Sequence, residues 1–231
     1  MTTAGTGRIT YLAMGDVTVY LLHGTAGDLL IDTGFLFKWR TLSRWIADYD
    51  VRNVFLTHGH PDHDWNAARM QKRGAKIYLS ERDRGLPRHF LSQPVQATMP
   101  RYRARNLVQR YGGALTRSPR YTPEYLREGD ADALRRLGFD AEIVPLPGHT
   151  YGSLGVLSDG VLYCGDAFTM IWKKPDITPH AVSTELMQQS LRTMLDCAPE
   201  WLACGHGLPV RMAEAAPVIS DYLHRAGRSV T

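Results

Sequence analysis

The N-terminal third alternates apolar and polar positions in short runs. "RITYLAMG", "VTVYLLHG" and "DLLIDTG" are β-branched or alternating and punctuated by glycine, a pattern that predicts three strands. "FLFKWRTLSRWIADY" changes period, setting aromatic and aliphatic residues three and four positions apart, as an amphipathic helix does. "VRNVFLTH" then reads as a buried strand, "DWNAARMQKRG" as a helix closed by Gly74, and "KIYLS" as a further strand. From residue 81 to about 130 the rhythm fails: Pro87, Pro94, Pro100, Pro119 and Pro123 interrupt any long element, and only "RYRARNLVQRYG" keeps a helical period. The β pattern returns in "AEIVPLPGHT", "SLGVLSDG" and "VLYCGDAF"; "STELMQQSLRTMLDCA" and "MAEAAPVISDYLHRAG" read as helices on either side of the strand "WLACGHG". A fifty-residue break in regular structure predicts an insertion covering a site rather than a core element. The expectation is therefore one domain over residues 1–231 with an insertion at about 81–130.

Composition narrows the class. At 44% apolar and 22% charged residues the chain is built for a globular core, and no apolar run approaches the length of a membrane span. "MTTAGTGRIT" lacks the charged start and apolar stretch of a secretory signal. The three cysteines, Cys164, Cys197 and Cys204, are odd in number and have no C-x-x-C spacing. They read as free thiols, which points to a cytoplasmic setting. The net charge of +4 conceals an imbalance: between Glu81 and Glu128 there are ten arginines and four acids, so this segment carries +6. Such a block either binds an anion or is solvated surface.

The chemistry concentrates in "THGHPDHD". In extended backbone alternate side chains point the same way, so His58 and His60 can converge on one ion. Pro61 biases His60 towards extended geometry, and Asp62 and His63 follow at the start of a helix. Imidazoles with a carboxylate suit zinc, and also iron or manganese. The structural alternative is a network of loop and helix-cap contacts around Asp62 and Asp64. Against it, further candidates recur after apolar strands and a glycine: His149 in "PLPGHT", Asp166 in "YCGDAF" and His206 in "ACGHG". Each glycine gives backbone room for a ligand to approach.

H-x-H-x-D-H after a strand, followed in order by G-H-T, G-D and G-H-G, resembles the metallo-β-lactamase superfamily, in particular its glyoxalase II-like and lactonase-like branches. The likeness runs from "DLLIDTG" to "GHG". It implies an α+β fold, an αββα sandwich of two mixed β-sheets flanked by helices, with the site at one edge. It further implies two divalent metal ions, zinc foremost. His58, His60 and His149 would bind the first ion, Asp62, His63 and His206 the second, and Asp166 would bridge them. Asp32 matches a position that orients ligands without binding metal. Two departures stand out: Trp65 and Asn66 replace a pair of small residues, and Thr18 stands where relatives often carry asparagine.

On this resemblance the chain is a hydrolase of a small-molecule thioester, lactone or related acyl bond, in which a bridging hydroxide attacks the carbonyl. Asp62 and Asp166 would orient it and pass on its proton. Thr169, three residues after Asp166, replaces the tyrosine of one lactonase subgroup. The alternatives are a phosphodiesterase or nuclease, a persulfide dioxygenase-like iron enzyme, or an accessory protein that keeps metal without turnover. Neither a nucleic-acid nor a membrane partner is expected, and homo-oligomerisation stays open. Tyr102, Arg103, Arg105 and Tyr111 in the insertion, with His180, are candidate substrate contacts; Cys164 and Cys204 read as small buried residues.

Overall fold

The computed structural model describes residues 8–15, 17–114, 116–127 and 129–228. Strands β1 (Thr10–Ala13), β2 (Thr18–Gly24), β3 (Gly27–Ile31), β4 (Val51–Phe55) and β5 (Lys76–Ser80) come first. After the short strand β6 (Gln96–Ala97), β7 (Glu124–Leu126) completes a six-stranded sheet in the order β1-β2-β3-β4-β5-β7. β1 to β3 are antiparallel neighbours, whereas β3, β4, β5 and β7 run parallel.

The second sheet is also mixed. It contains β8 (Glu142–Pro145), β9 (Leu154–Ser158) and β10 (Val161–Gly165). A hairpin, β11 (Thr169–Ile171) and β12 (Lys174–Asp176), and the short β13 (His180–Ala181) precede its last strands, β14 (Trp201–Cys204) and β15 (Val210–Arg211). The order is β15-β14-β10-β9-β8, with only β10 and β14 parallel.

Strand alternation divides the core into three layers. Tyr11, Tyr20, Leu29, Ile31, Phe55 and Tyr78 point from the first sheet onto Ile143, Val156, Val161, Tyr163 and Ala203 of the second, forming the layer between the sheets. Their neighbours Leu12, Val19, Leu21, Leu30, Val54 and Ile77 point the opposite way. They meet Leu42 and Trp45 of α1 (Trp39–Trp45) and Ala67 and Met70 of α3 (Ala67–Lys72). On the far side, Leu162, Cys164, Leu202 and Cys204 pack on Met187, Leu191 and Met194 of α6 (Thr184–Asp196) and Ala215 and Ile219 of α7 (Met212–Arg228). The result is the αββα sandwich. Cys164 and Cys204 lie in this last layer as buried thiols 3.9 Å apart. Ser183 caps α6, its hydroxyl accepting from the Leu186 N–H. No helix among the described residues is long and apolar enough to cross a membrane.

Three sequence-based expectations need correction. The helix expected over residues 35–49 is α only at Trp39–Trp45, with 3-10 turns at Leu36–Lys38 and Ile46–Asp48. The helix expected from Asp64 is two: α2 (Pro61–Asp64) and α3, separated at Trp65 and Asn66. Asn66 breaks the run because its side-chain amide donates to the carbonyls of Thr33, Gly34 and Phe35, tying the segment after β3 to the site. The basic segment is not merely an insertion, since its last residues form β7 on the edge of the first sheet. β6 also pairs with β13, which the proline content concealed.

Candidate metal centre

The first sheet delivers the histidine cluster at the end of β4. Asp32, just after β3, has a positive φ of 62°, and its carboxylate accepts the Thr57 N–H at 2.8 Å, the Thr57 hydroxyl at 2.8 Å and His63 Nδ1 at 2.8 Å. Asp32 therefore fixes the His63 tautomer and leaves Nε2 as a lone-pair donor. The Thr57 hydroxyl also lies 3.1 Å from His58 Nδ1. His60 is extended at φ −82° and ψ 148°, and Pro61 begins α2 at its first position, where the missing N–H costs nothing.

The second sheet supplies the rest. His149 follows β8, Asp166 follows β10 and His206 follows β14. His149 Nδ1 is held by the His180 carbonyl at 3.1 Å, leaving Nε2 to face His60 Nδ1 at 2.9 Å. Asp166 lies between the groups: Oδ1 is 3.4 Å from His63 Nε2, and Oδ2 is 3.5 Å from His149 Nε2 and 3.2 Å from His206 Nε2. Asp62 Oδ2 is 3.3 Å from His206 Nε2. Gly205 is required here, because a Cβ would come within 2.5 Å of both Asp166 Oδ1 and His63 Cε1. Gly148, at φ +142°, likewise leaves no room for a Cβ against the backbone of Met187. Thr18 braces the last loop: its N–H donates to the Gly205 carbonyl at 2.8 Å and its hydroxyl to that of Gly207 at 2.5 Å.

Sequence reasoning missed the residue that joins the two halves. Asp83, fully buried in the 3-10 turn after β5, accepts from Gly59 N–H at 3.1 Å, Gly152 N–H at 2.9 Å, Thr150 Oγ1 at 2.8 Å and Gln93 Nε2 at 2.8 Å. It thus ties the His58–His60 loop to the His149 loop. A carboxylate three residues beyond a strand is a weak signal, and nothing in "LSERDRG" distinguishes Asp83 from the exposed charges around it.

Three groups of ligand atoms could each hold an ion: His58, His60 and His149; His58, His63 and Asp166; Asp62, His63 and His206. Protonation suits the group His58, His60 and His149 as it stands, whereas His63 and His206 must each give up a proton to bind an ion. Burial and neighbouring imidazoles hold His58 and His60 well below the usual histidine range, and burial also lowers His149. For Asp62 and Asp166 burial favours the neutral acid, but His63 and His206 outweigh it and keep both carboxylates ionised. In His63 burial is outweighed by Asp166, Asp32 and Asp62, which raise it to about 9; Asp166 and Asp62 raise His206 likewise. The fit to metal is visible in the hydrogen bonding. His58 Nε2, His63 Nε2 and Asp166 Oδ1 are buried and make no hydrogen bond within the protein, an arrangement that would cost about 1–3 kcal/mol per atom without a coordinating partner.

A cavity of about 570 Å³ opens onto Asp62, Asp166 and His206, and Arg105, Trp172 and His180 also line it. Of the candidate substrate contacts, then, Arg105 and His180 face the site. His180 is buried, with its ring 4.5 Å from that of His149, and burial beside His149 lowers it to about 3. Tyr102 turns away, because its hydroxyl donates to Asp176 Oδ2 at 2.6 Å and Arg101 stacks on its ring. Arg103 and the exposed Tyr111 lie on α4 (Arg103–Ala114) outside the cavity lining, since one helix cannot turn every side chain towards the metals. Trp65 packs its ring 5.0 Å from Phe35 instead of walling the cavity.

The sandwich, and the histidines and aspartates gathered at its strand ends, define a metal-binding hydrolase-type scaffold. The sequence profile of the metallo-beta-lactamase superfamily matches residues 13–206, and the chain belongs to that superfamily. Among curated relatives, an uncharacterized protein of Mycobacterium tuberculosis is 35% identical over 102 residues, 44% of this chain and 41% of its own length. Hydroxyacylglutathione hydrolase GloC of Haemophilus influenzae is 32% identical over 123 residues, 52% of this chain and 50% of the relative. The chain thus spans about half the length, or less, of these relatives. Among solved structures, TTHA1623, determined in a di-iron-bound form, superposes with a TM-score of 0.63 at 21% identity, covering 91% of this chain and 97% of its own.

Proposed function

We propose that this chain is a metal-dependent hydrolase that cleaves a thioester, or a related lactone or ester bond, of a small molecule. The observation that carries the reading is the convergence of seven imidazole and carboxylate side chains from both sheets, with buried ligand atoms of His58, His63 and Asp166 that make no hydrogen bond in the protein. The half-length likeness to GloC favours a thioester. His58, His60 and His149 would hold one divalent ion, and Asp62, His63 and His206 a second, with Asp166 between them. Zinc suits this donor set, and iron is the alternative that TTHA1623 suggests. When bound, such ions supply Lewis acidity towards a carbonyl and lower the pKa of a water to about 7.

The protein's own groups do the rest. Asp62 is half-exposed at the cavity and stays ionised at neutral pH, so it can accept a hydrogen bond from water and orient it. Asp166, fixed among three imidazoles, keeps the two ligand groups in register. His180 is neutral and forms an uncharged wall, while Arg105 at the mouth favours an acyl substrate with an anionic group.

The test is a panel of thioesters, lactones and phosphodiesters offered to metal-reconstituted protein. Acyl hydrolysis that disappears on chelation and returns with zinc is expected. Strong cleavage of bis-p-nitrophenyl phosphate without any acyl hydrolysis would overturn the reading. So would oxygen uptake on persulfides by an iron-loaded sample that leaves every ester intact.

A further inference from the structure

The metal centre absorbs little of the +6 carried between Glu81 and Glu128. Part of that charge is gathered elsewhere, in a second cavity of about 620 Å³ that shares no lining residue with the metal-centre cavity. Arg84, Arg88, Arg117 and Arg120 all contribute to its wall, alongside the rings of Tyr121 and Tyr125. No carboxylate lines it among the described residues. Arg84 is paired with Glu81, so the uncompensated charge comes from Arg88, Arg117 and Arg120, whose guanidinium groups around one concavity focus a positive potential that an anion would relieve.

The wall is built rather than incidental. Arg84 is clamped between Glu81, at 2.8 Å, and the face of Tyr125, 4.2 Å from the ring centroid. Half-buried Arg88 donates to the Ser118 carbonyl at 2.6 Å, while the Ser118 N–H returns a bond to the Pro87 carbonyl at 2.9 Å. These bonds stitch the two chain segments that form opposite sides of the cavity. The Ser118 and Tyr121 hydroxyls then anchor both to the buried carboxyl of Asp64. Arg117 and Arg120 extend from this frame as exposed side chains.

We propose that this cavity is a second ligand site, for a small phosphate-bearing molecule with a planar organic part. Guanidinium forks match phosphate oxygens in pairs; Arg84 already covers one face of Tyr125, so an organic ring would pack on the lining atoms of Tyr121 and Tyr125 that remain open. The volume falls within the roughly 300–1,000 Å³ of small-molecule pockets, which suits one nucleotide and not a nucleic-acid strand.

Calorimetric titration of the metal-loaded protein with pyrophosphate and with ADP tests this. Both should bind at low salt, and ADP more tightly if the rings contribute. The Arg117→Ala/Arg120→Ala variant should weaken each by about tenfold or more, and raising the salt from about 50 to 200 mM should weaken them further. Chelator-treated protein should bind as well as the metal-loaded form, because the site is separate from the metal centre. Three results would overturn the proposal. The first is no binding of either probe at millimolar concentration. The second is binding that vanishes with the metal yet survives the arginine substitutions, which would locate the phosphate on the ions. The third is a single-stranded oligonucleotide that binds far more tightly than ADP, which would make the cavity part of a strand-tracking surface.

Discussion

Replacing Asp83 with alanine should damage the metal centre without touching a ligand. The substitution removes the acceptor for four donors. Two of these keep a second partner: Thr150 Oγ1 has Ser153 Oγ at 2.8 Å, and Gln93 Nε2 has the Arg82 carbonyl at 3.3 Å. The N–H groups of Gly59 and Gly152 have no such substitute. At about 1–3 kcal/mol for each stranded N–H, the loss is about 2–6 kcal/mol. Burial pushes the Asp83 carboxyl up, so removing it also relieves a desolvation cost, which favours the lower half of that range. For a domain of this size, about 2–4 kcal/mol corresponds to a melting temperature lower by roughly 5–15 °C. Asp83→Asn should lie between the variant and the parent, since each carboxylate oxygen accepts two bonds and the amide keeps only one such oxygen. The damage should also be local. Gly59 separates His58 from His60, and Gly152 follows His149, so the group His58, His60 and His149 loosens. The group Asp62, His63 and His206 is held by Asp32 and Thr18 and should retain its ion. Thermal melts of metal-free protein, with metal content by mass spectrometry after dialysis against a weak chelator, measure both effects. An Asp83→Ala protein melting within 2 °C of the parent, or losing both ions equally, would refute the reasoning.

Two further outcomes are expected. Gly205→Ala forces a methyl within 2.5 Å of Asp166 and His63; it should cost about 1–3 kcal/mol and strip metal, read by melting and metal content, and a fully loaded variant of unchanged stability would contradict the packing. In metal-free protein the raised His63 favours the protonated fold, so its contribution is complete below about 6.5 and fades as the pH rises towards about 9, with His206 acting in the same sense. Melting temperature should therefore fall across that window without metal and much less with zinc bound; a flat metal-free profile would count against the carboxylate contacts.

The sequence by itself determined most of the strand pattern and marked the histidines and aspartates at the strand ends, because these are local signals; the sandwich and the grouping of the seven candidate ligands came from the resemblance to the superfamily. Alternation in "VTVYLL" and "DLLID" assigns each side chain to one face of a sheet, and a histidine after a glycine at a strand end is visible within five residues. The tertiary structure decided what long-range contact controls. It placed Asp83 between the Gly59 and Gly152 loops, 93 residues apart, made Asn66 a clamp instead of a helical residue, and recruited Glu124–Leu126 into the first sheet. It also separated Arg105, which lines the cavity beside Asp62, Asp166 and His206, from Arg117 and Arg120, which line another cavity, although all belong to one basic run. A hydrogen bond or an ion's surroundings depends on which segments meet, and residues far apart in the chain leave no mark of that meeting in their own neighbourhood.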